Sequence, residues 1–406
     1  MENCVWGGVL LFSLSMSLTS CEGALDDILG EWSRPTPGGG SSSDEPTPIT
    51  NATPLTVETI TAGTIMVESP QSGMQYSLNG GAKTAVTTDA ITVGVGDKVA
   101  FYGSGTTITS YNGTQIAGGT AEVKVYGNIM SLVDETGYET ATALTVDNTF
   151  QSLFKGNAKL TDASGLLLPA TSLAKSCYES MFFGCTSLTT APAKLPATSL
   201  AKSCYESMFS GCKALTAAPE LKATTLDESC YRSMFSGCTS LTTAPELPAT
   251  TLAESCYQSM FEGCKALTAA PELKAETLAK GCYFDMFHGC TSLKTAPALP
   301  AKNLANDCYN SMFYGCTSLE TAPKLPAETL AKECYYYMFY NCTALTTAYV
   351  KAAYTTVNEE CYKMFEECTA TGAKLHTTAT NQASWDGVMG SGKTWSNWTA
   401  ANDWTD

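Results

Sequence analysis

The chain has 406 residues, 44% hydrophobic and 15% charged, with 23 Lys+Arg against 39 Asp+Glu and a formal net charge of −16. Two or three domains fit that length, and the apolar fraction is too high for a disordered chain. The acidic balance disfavours nucleic acid and anionic surfaces as partners, and the two histidines, His288 and His376, leave the hydrolytic triads without parts, so neither an enzyme nor a cofactor is expected.

Residues Val5 to Leu18 are an apolar stretch too short to cross a bilayer, running into Leu18-Thr19-Ser20-Cys21, with no Lys or Arg before it. Small residues leading into a cysteine resemble the lipobox of bacterial lipoproteins. Residues 1–20 are therefore expected to be a signal peptide, and the resemblance implies lipid attachment at Cys21 and a membrane contact through that lipid. The alternative is an N-terminal helix packed on the body. Residues 21–54, with Pro35-Thr36-Pro37, Gly38-Gly39-Gly40 and Ser41-Ser42-Ser43, have the composition of a flexible tether. Asp26-Asp27 after Cys21 resembles the export signal of surface-exposed Bacteroidetes lipoproteins, which implies display on the outer membrane.

Residues 55–132 read as a small all-β, sandwich-like domain. Met74, Tyr76 and Leu78 alternate into Asn79-Gly80, a dipeptide suited to positive φ at both centres of a hairpin turn, and the signal recurs at Asn112-Gly113. Further runs lie at Ile91–Val95, Val99–Tyr102 and Ala121–Tyr126. They carry no visible chemistry, so the domain is expected to serve as spacer and cap.

From 133 to 370 one unit recurs. Its phenylalanine stands at Phe182, Phe209, Phe235, Phe261, Phe287, Phe313, Phe339 and Phe365, a step of 26 after a first step of 27 that absorbs an insertion at Ala193-Lys194. A period of this size marks a solenoid, and the degenerate units at both ends are expected as caps. Within the unit Thr251–Pro271, Thr251 and Glu254 look like a capping box, and Leu252, Cys256, Tyr257, Met260 and Phe261 fall on one half of a helical wheel. Gly263, replaced by Asn341 in one unit, then suits a left-handed helix end, and Cys264 to Ala270 a short strand ended by Pro271. A short strand plus a helix per 26-residue unit is the expected fold.

The pattern Met260-Phe261, Gly263-Cys264, Leu267 and Leu247-Pro248 resembles the leucine-rich repeats of BspA-like surface proteins. That resemblance implies a leucine-rich-repeat solenoid at the cell surface, used for adhesion or ligand capture. The alternative class is a structural stalk or assembly subunit of the cell envelope with no soluble ligand.

Sixteen of the eighteen cysteines sit as eight pairs inside the units. On helical geometry Cys256 and Cys264 stand about 10 Å apart, beyond disulfide reach, so buried free thiols are favoured over disulfides. The C-x-x-C spacing of metal sites never occurs, so no metal is expected. Residues 371–406 hold Trp385, Trp395, Trp398 and Trp404 and read as a Trp-rich cap. Gly387 to Thr394 matches the phosphate-loop spacing, but no apolar strand precedes it, so no nucleotide is expected. The tyrosines Tyr178 through Tyr335 fall in the apolar half and read as core. Outside it, Phe284, His288, Tyr314, Tyr336 and Tyr340 accumulate toward the C-terminal end and are the candidate ligand-binding residues, for a host or matrix protein or a glycan.

Overall fold

The computed structural model describes residues 49–103 and 113–405. The signal peptide, Cys21, nearly all of the tether and Asn112 lie outside the described residues.

The N-terminal strands build a six-stranded sheet in the order Leu160–Leu167, Val123–Asn128, Thr56–Thr59, Lys98–Tyr102, Gln75–Leu78 and Thr84–Ala85, with two two-stranded ribbons beside it. Alternation places Val99, Phe101, Val123 and Val125 inside. The Asn79-Gly80 turn has φ of 53° and 72°, the double positive φ that its sequence suits. Strand Val123–Asn128 then pairs in parallel with Leu160–Leu167, which belongs to the first coil of the repeat array. The N-terminal domain therefore caps the solenoid by continuing its hydrogen-bonded ladder.

The repeat is a coil of successive turns, and the expected helix in each unit is not there. Gln382–Asp386 is the one α-helix among the described residues. In the unit Thr251–Pro271 the left-handed conformation returns every fourth residue, at Ser255 (φ 53°), Ser259 (φ 52°) and Gly263 (φ 67°). Backbone donors alternate between two jobs. Gln258, Met260 and Glu262 close tight turns onto the carbonyls of Ser255, Tyr257 and Ser259, while Tyr257, Ser259, Phe261 and Gly263 donate to Cys282, Phe284, Met286 and His288 of the next coil. Every donor in the stretch is satisfied without an i→i−4 bond.

Two physical reasons favour the coil. Helices pack with axes about 8–10 Å apart, whereas parallel backbones that hydrogen-bond approach to about 4.8 Å. The glycine column has that closeness: a Cβ placed on Gly211 would stand 3.5 Å from the Cα of Gly184. Serine and glycine are also weak helix formers, and they occupy the three positions that must turn left-handed. The apparent capping box is two unrelated contacts: Thr251 bridges Thr277 in parallel, and Glu254 pairs with Lys280 at 2.9 Å, 26 residues on.

Inside the coils the side chains form columns. The phenylalanines from Phe154 to Phe365 stack with centroids 5.2–5.8 Å apart, and Phe150 with the tyrosines Tyr178 to Tyr335 at 5.6–6.2 Å. The tyrosine column is core, as its place in the apolar half implied. The Trp-rich segment does more than lie over the last unit. Strands Ala373–His376 and Trp398–Ala401 extend the parallel sheet begun by Thr321–Leu325 and Thr347–Val350, and Phe365 packs against the rings of Trp385, Trp395 and Trp398.

Candidate binding face

Because a left-handed residue recurs every four positions, each coil points pairs of side chains inward and the intervening ones outward. The inward residues Cys, Tyr, Met, Phe, Cys and Leu are fully buried in coil after coil. The outward columns are free to vary, and along the array their chemistry changes.

In the N-terminal coils the outward columns are mostly small or ion-paired. Lys202 meets Glu228 at 2.7 Å and Arg232 meets Glu206 at 3.9 Å, each across one coil. Farther along, rings replace them. His288 lies 4.4 Å from Tyr314, which stacks on Tyr340 at 4.7 Å and 13°. Tyr336 stacks on Tyr362 at 5.3 Å, and Tyr337 stands edge-on between the two files, 4.4 Å from Tyr336 and 5.2 Å from Tyr340. Six rings from four coils thus form one continuous surface cluster.

Four of the five sequence candidates, His288, Tyr314, Tyr336 and Tyr340, meet here. Phe284 shares no ring contact with them. Two members escaped the sequence reading. Tyr337 holds the second left-handed position (φ 52°), where other coils carry serine, aspartate or lysine. Tyr362 lies in the closing unit beyond the core tyrosines, where Tyr335 donates to the carbonyl of Glu360 and Tyr337 to that of Tyr362. This register puts Cys361 in the core place and turns Tyr362 outward, 36% exposed.

The cluster is electrostatically biased. Asp285 Oδ1 lies 3.2 Å from His288 Nδ1, and that contact raises the imidazole pKa above its ordinary 6.5. Burial, then the neighbouring Tyr337, raises the Tyr336 phenol, and burial, then Glu367, raises that of Tyr340. Asp307 is lifted above 3.8 by partial burial and by the adjacent Glu333 carboxylate.

The sixteen repeat cysteines are all free and buried. The second thiol of each coil donates to the phenylalanine carbonyl of the coil before, as Cys264 Sγ does to Phe235 O at 3.2 Å, and burial pushes Cys185 up to about 12. They are structural groups. No three metal-binding side chains come together among the described residues. The segment Gly387 to Thr394 follows the helix Gln382–Asp386 instead of preceding one, so its amides do not converge at a helix N-terminus.

Residues 154–294 and 283–382 match the model of the BspA type leucine rich repeat region, in six copies, over more than half of the chain. The chain belongs to the BspA-type leucine-rich-repeat family. Among solved structures it is similar to a leucine-rich repeat protein from Bacteroides ovatus, at 15% identity and a TM-score of 0.30, covering 67% of this chain and 85% of that one. A search of the curated proteins finds no match. Membership in a BspA-type repeat family points to a protein-interaction or repeat-scaffold role, and a scaffold of this kind is a non-enzymatic fold. The aromatic cluster sits on coils within the matched region.

Proposed function

We propose that this protein is a lipid-anchored, surface-displayed adhesin of the outer membrane that captures a host or environmental macromolecule, protein or glycan, on its C-terminal aromatic face. The observation that carries the reading is the cluster of six contacting rings on the outside of four successive coils, held by a backbone whose every coil is hydrogen-bonded to the next. Rigid aromatic side chains lose little entropy on binding and supply much of the energy at recognition surfaces. The sequence before Cys21 supports the anchor, and the proposal includes the absence of catalytic activity.

The stalk reading fits less well with the ends of the array. The N-terminal sheet closes one, and at the other Gln382 Nε2 donates to the Ala400 carbonyl on the edge strand, 3.3 Å away, so that edge is partly occupied. Two measurements test the proposal. Cys21→Ala should release the protein from membranes, since acyl burial at about 0.8 kcal/mol per CH₂ is the proposed attachment. On an array of glycans and matrix proteins, the Tyr336→Ala, Tyr340→Ala double variant should lose at least about tenfold in affinity for whatever the native chain captures. Binding untouched by that variant, or polymerisation without binding, would overturn the reading.

A further inference from the structure

We infer that the partner of the aromatic face presents a cationic, arginine- and lysine-rich surface. The inference rests on the adhesin reading and names the chemistry of its ligand. Three observations carry it.

The first is how the rings are used. Tyr314 and Tyr340 lie face to face, as do Tyr336 and Tyr362. A pyranose ring would need an open aromatic face, and these faces are largely given to one another. What the cluster offers outward is ring edges and phenolic oxygens, with open faces chiefly at the ends of the files. The second is the charge around it. Asp285, Asp307, Glu333, Glu359, Glu366 and Glu367 lie on the same coils as the rings, against Lys280, Lys332 and Lys363, which are already paired with Glu254 at 2.9 Å, Glu333 at 3.0 Å and Glu366 at 3.3 Å. Among the described residues no lysine or arginine comes within 4 Å of the carboxylates of Asp307, Glu359 or Glu367. This local excess has the sign of the whole chain, −16, which steers cations toward it.

The third is a cation already at the cluster. Lys363 Nζ stands 5.9 Å from the Tyr337 centroid and 5.7 Å from that of Tyr362, within the range of a cation–π contact. Guanidinium groups from a partner would extend that arrangement, stacking at the open ends of the files and donating to carboxylates beside them. The acidic column Glu220, Glu246 and Glu272 elsewhere on the array lacks aromatic neighbours and is in part already paired, Glu220 with Lys222 at 3.4 Å and Glu272 with Lys274 at 3.3 Å.

The probes are dye-labelled decapeptides alternating glycine with arginine, lysine or glutamate, titrated by fluorescence anisotropy against full-length Cys21→Ala protein. The expected order is arginine over lysine, with glutamate unbound, and affinity should fall with added salt. Tyr336→Ala with Tyr340→Ala should weaken the arginine probe at least tenfold, and Asp307→Asn with Glu359→Gln and Glu367→Gln should do likewise. The control Glu220→Gln with Glu246→Gln and Glu272→Gln should change it less than twofold. Each variant is compared by thermal melting, and Tyr336→Phe with Tyr340→Phe, which keeps the rings, separates loss of binding from loss of fold by restoring most of the affinity. Equal losses in the control would overturn the inference as unspecific charge attraction. A face that captures neutral glycans on the array, loses them with the tyrosine pair, and ignores the arginine probe would leave the adhesin reading intact and overturn the cationic partner. No binding of any array component would sink the adhesin reading itself.

Discussion

The coils from Ser176 to Gly263 and those from Asp307 to Glu367 share the same inward phenylalanine, methionine and second cysteine, yet differ at nearly every outward position. In the first group the three left-handed positions read Ser, Ser, Gly four times over. In the second they read Asp307, Ser311, Gly315, then Glu333, Tyr337, Asn341, then Glu359, Lys363, Glu367. A side chain with a Cβ in that conformation costs roughly 1–2 kcal/mol against glycine. The later coils thus hold more strained backbone, and in the same stretch they display the rings. The core is built by one rule throughout, and the added strain falls on the coils that carry the rings.

Truncating the core should show the shared rule. Phe235→Ala and Phe339→Ala, each deleting one fully buried ring from the same column, should each cost about 3–5 kcal/mol in urea unfolding. A gap between them well above about 1 kcal/mol would break the equivalence of the two cores. The thiols should be equally indifferent to position: an aromatic disulfide reagent should leave all sixteen repeat cysteines unmodified in the native protein and react with all of them after denaturation without reductant. Rapid native labelling confined to one half would separate the halves where the packing does not.

The left-handed positions should respond in opposite directions. Gly263→Val puts a β-branched residue at φ 67° against the Gly237 backbone and should destabilise by about 2 kcal/mol, whereas Glu367→Gly relieves φ 62° and should gain about 1 kcal/mol. If Glu367→Gly destabilised the fold, the last coil would not be strained.

Titration is expected to have the smallest effect and is the most local test. The raised pKa of His288 in the fold means that its contribution to stability is complete below 6.5 and is lost as pH rises through the higher folded value. Asp285→Asn should remove that dependence and lower the midpoint seen by NMR. For Asp307, the raised carboxyl pKa favours the folded state only where it is protonated: stability from this group is full below 3.8 and lost as pH rises through the folded value. Asp307→Asn should therefore stabilise the protein slightly at pH 7 and not at pH 3. Neither effect has a counterpart in the coils before Gly263, where serine holds the left-handed positions that Asp285 and Asp307 occupy.

Much of this was legible in the residues and some was not, for identifiable reasons. The step of 26 exposed the solenoid, and the Gly263-to-Asn341 exchange marked a positive φ that is there. The helix was misread because apolar pairs at Cys256-Tyr257 and Met260-Phe261 repeat every four residues. Over two turns that differs from a 3.6 period by less than one residue, so the wheel looked amphipathic. The contrary signal was Ser255, Ser259 and Gly263, three helix-poor residues at the same interval. At the aromatic face, His288, Tyr314, Tyr336 and Tyr340 stood out because their slots vary between units. Tyr337 was not singled out, because its slot holds serine in most units, and Tyr362 was hidden by the one-residue slip of the last coil. Phe284 shares the variable slot but lies before the rings converge.

The forward-pointing hydrogen bonds make the array a ruler. Each coil hands its donors to the next at the same register, so whole units of 26 residues are the increments in which its length changes without disturbing a column. Removing Gly211 to Ser236, one full period, would bring the aromatic face closer to the N-terminal sheet by one strand spacing, about 4.8 Å, while leaving the rings and their carboxylates unaltered. The distance of the aromatic face from the N-terminal sheet is thus counted out in coils, and it can be reset independently of the chemistry that the face displays.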